Sequence, residues 1–252
     1  MKKKFVYLKV WGDWACFTRP EMKVERVSYS VITPSAARGV LEAIFWEPQL
    51  YYTISSVTVL KKGHWSSVRR NEVIKKISTS RVKHWQKNPK DIDYIKAGGG
   101  ADDATQRNML ALRDVAYIIG AEINTTDLAH RPGDTVEKYA GEFNRRASLG
   151  KCYHRPGLGM REFACDFELA QDATAELPSH PIDEQLGIML YDVFSPKERH
   201  RGFMRKQSGK KKKLGHIIIP KPCYFQAKIE NSVIKCHPQE IDIIYPNYPK
   251  TS

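Results

Sequence analysis

What most narrows the fold is the order in which the hydrophobic period changes along the chain. Phe5 to Trp11 alternates, with Val6, Leu8 and Val10 on one face, the period of a strand. Thr33-Pro34 is an N-cap followed by proline at the first helical position. Ala37, Val40, Leu41 and Ile44 then recur at helical spacing until Pro48 stops the helix. Tyr51 to Leu60, rich in Val, Ile, Thr and Tyr, is a second strand, and Val115 to Ile123 is a third. Asp134 and Glu137 make a capping-box-like start for a second helix, whose Val136, Ala140, Phe143 and Ala147 share a face and which Gly150 ends. Arg161 to Leu169 alternates again, with Phe163, Cys165, Phe167 and Leu169 on one side. The order is strand, helix, strand, strand, helix, strand.

That order predicts an α+β chain built on a ferredoxin-like βαββαβ unit over residues 1–170. A long insertion at about 61–112 separates its second and third strands and contains the loop-like run Ala97-Gly98-Gly99-Gly100. Residues 171–252 form a smaller β-rich part: Leu186–Phe194, then a hairpin of Tyr224–Ile229 and Ser232–Cys236 turning at Glu230-Asn231. A positively charged sheet of this kind is a common RNA platform, although a fold alone does not give function.

Charge narrows the partner. The 252 residues carry 41 Lys and Arg against 28 Asp and Glu, a net charge of +13, which points to a polyanion. It is unevenly spread. Ala164 to Glu198 holds eight acids and one base, Lys197, whereas Arg199 to Lys213 holds eight bases and no acid. That basic loop suits a polyanion clamp, and duplex DNA stays open as its partner. Lys61 to Lys96 adds eleven bases and three acids, interleaved with Trp65, Trp85 and Tyr94, which suit either base stacking or a small core. No apolar run nears the ~18–20 residues of a membrane span, and Lys9 interrupts the run after Met1-Lys2-Lys3-Lys4, so no membrane partner is expected and the expected location is cytoplasmic. The five cysteines (16, 152, 165, 223, 236) are odd in number and scattered, and no Cys-x-x-Cys or His-x-x-x-His spacing points to zinc, so neither disulfides nor a metal site is expected.

Several stretches are more specific than composition. Val10 to Pro20 (VWGDWACFTRP) runs into Glu21 to Tyr29 (EMKVERVSY). Thr33 to Pro48 (TPSAARGVLEAIFWEP), Gln106 to Tyr117 (QRNMLALRDVAY) and Gly157 to Phe163 (GLGMREF) follow. Together, from about residue 5 to 169, they resemble the CRISPR-associated Cas-five proteins of subtype I-C, also called Dvulg; the Phe225–Ile234 hairpin fits the family's C-terminal part more loosely. The resemblance implies a RAMP-type fold, ferredoxin-like with a β-rich C-terminal extension, and an endoribonuclease that cuts precursor CRISPR RNA within each repeat. It implies no cofactor: the RNA 2′-hydroxyl attacks the adjacent phosphate, leaving a 2′,3′-cyclic phosphate and a 5′-hydroxyl. It further implies a protein that stays on the crRNA 5′ handle beside the other subunits of the type I-C Cascade complex, in antiviral defence.

Such a reaction needs a base for the 2′-hydroxyl, charge stabilisation at the phosphate and protonation of the leaving oxygen. The family places a Tyr, or in some members a His, at the end of the first helix, and a Lys-His pair in the first turn of the second. Here those positions hold Phe45, Lys138 and Tyr139. Phe45 has no exchangeable proton, and Tyr139, with an ordinary pKa of about 10, is a poor base but a possible donor. Lys138 is left to neutralise or orient the phosphate, at a helix N-terminus that favours anions. His130 before that helix, His154 in the following loop, and Tyr51 or Tyr52 are the substitute bases. Arg19, Lys23, Arg26, Arg38, Arg107, Arg113, Arg145 and Arg146 are expected to hold RNA. A module that holds the handle without cutting is the second reading.

Overall fold

The computed structural model describes residues 3–74, 76–96, 98, 100–202 and 220–246. In chain order these form β1 (Lys4–Ala15), β2 (Arg26–Val27), α1 (Pro34–Ile44), β3 (Leu50–Lys61), β4 (His64–Val73), α2 (Thr79–Lys87), β5 (Ala104–Thr125), α3 (Val136–Ser148), β6 (Asp166–Leu169), β7 (Glu184–Asp192), β8 (Cys223–Ile229) and β9 (Val233–Lys235). The main sheet runs β6-β1-β5-β3-β9. Its first four members are the expected strands in the order fourth, first, third, second, and their pairings are antiparallel, which is the ferredoxin-like arrangement. β9 extends the β3 edge. Among the described residues no helix is long and apolar enough to cross a membrane.

Both helices of the unit lie on the sheet face formed by Val6, Leu8, Val10, Tyr52, Ile54 and Ile123, all buried. α1 starts as expected: the Thr33 hydroxyl accepts the Ala36 N–H at 3.2 Å and Pro34 needs no partner for a missing N–H. α3 starts one residue later than expected. Thr135 is its N-cap and accepts the Lys138 N–H at 3.2 Å, while Asp134 takes the Arg131 N–H and the Tyr139 hydroxyl instead. Gly150, at φ +63°, ends the helix in the left-handed conformation that glycine adopts without strain.

The expected insertion is largely strand. β5 begins at Ala104, and its first half pairs with β4, so the sheet grows an arm beyond its ferredoxin-like part. Only alternate residues of β4 are half-buried, and many of them are polar, which hides the strand from a hydrophobic pattern. Gly63 turns β3 into β4 at φ +75°; a Cβ there would lie 2.3 Å from the Arg113 carbonyl oxygen. α2 buries none of its residues. Of the glycine run, Ala97 and Gly99 lie outside the described residues.

Two more expectations change. The fourth strand is shorter, because residues 156–165 form a tight glycine loop ahead of β6. The C-terminal hairpin divides: β8 pairs with β7, whereas β9 leaves through Asn231 and Ser232, both at positive φ, to pair with β3. Residues 203–213 of the basic loop lie outside the described residues, and Arg199 at its start is buried. The helix-free face of the sheet is partly occupied by the chain's own contacts. Lys9 there is held by Glu168 and Glu176, and Ala173 covers Thr58 by accepting its hydroxyl proton at 2.5 Å.

Candidate nucleic-acid cleft and cleavage site

The outward face of α1 and the glycine loop face each other across a cleft of about 590 Å³. Ser35, Gly39 and Ala43 line one wall; His154, Arg155 and Arg161 line the other. The loop is fixed at both ends. Tyr153 and His154 donate their N–H groups to the Ala43 carbonyl at 2.9 and 3.2 Å, and Cys16 donates to the Leu158 carbonyl at 3.0 Å. Gly159 sits at φ +84°, where a Cβ would fall 2.1 Å from the Cys16 carbonyl oxygen, so the loop approaches β1 only with glycine there.

The three family positions gather at the end of α1, but two of them are closed to acid–base work. Phe45 is buried, its ring centroid 6.3 Å from that of Tyr139 and 5.1 Å from the Arg146 guanidinium. Tyr139 is fully buried and donates its hydroxyl to Asp134 at 2.8 Å. Burial first, then the Asp134 carboxylate, raise its pKa well above the ordinary phenol value. The expected proton donor is therefore a neutral structural phenol. Lys138 is exposed, with its ammonium 5.5 Å from the Tyr139 ring centroid. His130 is exposed in the turn before α3 and lines neither that cleft nor another described here. Tyr52 is buried and donates to the Phe45 carbonyl at 2.7 Å; Tyr51 faces the other side of the sheet, opposite Asn124. His154 is the imidazole that lines the cleft, exposed and flanked by Arg155.

The expected RNA-holding arginines divide. Arg38 departs outright: it is buried, its guanidinium clamped on Asp192 at 2.8 and 3.1 Å and on Glu42 at 2.7 Å, so it joins α1 to β7 and has no free fork for a phosphate. Arg145 and Arg146 both bind Glu142, at 2.8 and 2.7 Å, and hold that carboxyl down at about 2. Arg19 lies 4.6 Å over the Tyr29 ring and Arg113 4.9 Å over Trp14. Lys23 is exposed, and Arg26 lines a neighbouring cleft with it. Arg107 is half-buried on β5 opposite Arg70. Sequence reasoning passed over Arg70, Arg155 and Arg161. Two of these flank or fall in the GLGMREF motif, and that proximity was the available signal.

Residues 5–237 match the family model described as CRISPR-associated protein (Cas_Cas5). A protein of Mannheimia succiniciproducens named CRISPR pre-crRNA endoribonuclease Cas5d is 44% identical over 192 residues, 75% of this chain and 84% of the relative. One of the same name from Thermus thermophilus is 35% identical over 241 residues, 94% of this chain and 93% of the relative. A crystal structure of a CRISPR-associated protein superposes with a TM-score of 0.59 at 18% identity, covering 93% of each chain, a likeness of fold. On the family model and these two relatives, the chain belongs to the Cas5d family of CRISPR-associated proteins.

Proposed function

We propose that the chain is an endoribonuclease that cuts precursor CRISPR RNA within the repeat, with the RNA laid in the cleft between α1 and the glycine loop. The observation that carries this reading is the long match to two relatives named pre-crRNA endoribonuclease. The cleft adds the chemistry. His154, the imidazole that lines the cleft, takes the 2′-hydroxyl proton as the oxygen attacks the neighbouring phosphorus, the task of a general base. Arg155 and Arg161, which line the cleft, offset the charge that builds on the phosphorane, and Lys138, the family-position lysine outside that lining, is assigned to orient the RNA. The bond to the 5′-oxygen breaks, water protonates that oxygen, and the 2′,3′-cyclic phosphate remains. After cutting, the protein stays on the 5′ handle as a subunit of the type I-C Cascade complex.

A second reading, holding the handle without cutting, is favoured by one specific observation: Phe45 and Tyr139 supply no titrating group at neutral pH. Incubating end-labelled repeat RNA with the protein and excess chelator separates the two. The proposal expects one cut per repeat, lost in Lys138→Ala and in His154→Ala while both variants still bind RNA. Intact RNA with the wild-type protein favours the holding module, and undiminished cutting by either variant removes that residue from the site.

A further inference from the structure

At the root of the arm, β2 and β4 lie on opposite edges of β5. Arg26 is aligned with Met109 on one edge; Val68 with Met109, and Arg70 with Arg107, are aligned on the other. Residues two apart on a strand share a face, so Arg70 and Arg107 stand opposite each other on the face where Met109 packs beside Cys16. Like charges directly opposite across a ladder are destabilising. The local acids offset this only in part. Glu72 stays 3.8 Å from Arg26, beyond hydrogen-bond reach, and Glu162 takes one nitrogen of Arg70 at 2.8 Å. The Nη1 atoms of Arg26 and Arg70 are both buried and donate to no acceptor among the described residues. A buried guanidinium nitrogen without an acceptor is unfavourable until an anion arrives.

These side chains line a shallow cleft of about 600 Å³ in which Lys23, Arg26, Arg70 and Arg161 face a single acid, Glu162. It is continuous with the cleft of His154 through Thr18, Gly159, Met160 and Arg161. We infer that the arm root is a phosphate subsite: a phosphodiester of the RNA bound in the His154 cleft bridges Arg26 and Arg70. The strand then passes over the glycine loop and crosses the arm. Planar guanidinium forks suit a phosphate better than a lone lysine does, and the path follows a basic continuation of the cleft lined by Lys23, Arg26, Arg70 and Arg161. This inference rests on the proposed reading of that cleft as the RNA path.

The test is the salt dependence of binding of a 2′-deoxy, uncleavable repeat RNA from 50 to 200 mM salt, for wild type, Arg70→Gln and Arg26→Gln/Arg70→Gln. Each lost single-strand phosphate contact makes the slope of log K against log salt shallower by about 0.7, so the double variant is expected near 1.4 shallower, with an unchanged or higher melting temperature. A wild-type slope in the double variant overturns the inference, as does a shallower slope that appears only with a fall in melting temperature. An equal slope change with duplex DNA also overturns it, since the face would then be a general polyanion surface. Cleavage of unmodified repeat RNA by the wild type is measured in parallel. If that fails, the cutting falls while the slopes still decide the subsite; if it succeeds and the slopes match, only the subsite falls.

Discussion

The Tyr139 phenol donates a hydrogen bond to Asp134 and packs against Phe45, so a residue of reactive type becomes part of the wall behind the site. Tyr139→Phe removes one part-buried hydrogen bond, worth about 1 kcal/mol in urea denaturation, and leaves the cleavage rate unchanged. His154→Ala is expected to slow single-turnover cleavage by about 10²-fold or more with binding kept, the range of a lost acid–base group. The contrast between the two measures which residue handles the proton. The thiols give a separate check on burial. Cys165 is pushed up to about 12 and Cys223 to about 11, both chiefly by burial, and Cys16 and Cys236 are also buried and raised. Of the five free cysteines only Cys152 is half-exposed. A thiol reagent at pH 8 should therefore modify one thiol per native chain and five after unfolding.

Among the elements, α1 carries the greatest demand, because one face lines the cleft and the other holds a buried ion network. Asp192→Asn leaves Arg38 charged and without its main counter-ion, and is expected to cost about 3–5 kcal/mol in denaturant unfolding. Gly159→Ala forces a Cβ onto the Cys16 carbonyl and is expected to cost at least ~2 kcal/mol and to open the cleft loop. The element order was legible because Val6, Leu8 and Val10, and Ala37 to Ile44, each sit on one buried face with the period of their element. The arm was not, since β4 buries none of its residues fully and most of its half-buried positions are polar. The site was legible in part. The family resemblance drew attention to Lys138, and His154 stood among the substitute bases, but pattern could not reveal that Arg38 turns inward to Asp192, a partner 154 residues away. Nor could it reveal that Tyr139 is tied to Asp134, because that depends on α3 capping at Thr135.

At the scale of the whole molecule, part of the +13 charge lines the main cleft and the arm root, while Lys9 on the sheet face opposite the helices is paired with Glu168 and Glu176. The fold also buries several phenols. Tyr29, Tyr51, Tyr52, Tyr117, Tyr139 and Tyr191 all have raised pKa values, in each case first through burial. A raised folded-state pKa means the unfolded chain loses these protons first. Stability is thus complete below about pH 10 and falls as pH rises through and above that value, which melting curves from pH 8 to 11 would follow. The central claim is cutting, and charge alone cannot supply it. Its most direct measurement is single-turnover cleavage of end-labelled repeat RNA in excess chelator, with analysis of the product ends. Cutting at one position to give a 2′,3′-cyclic phosphate, lost in His154→Ala, is the predicted result; RNA that is bound but left whole by the wild-type protein would contradict it.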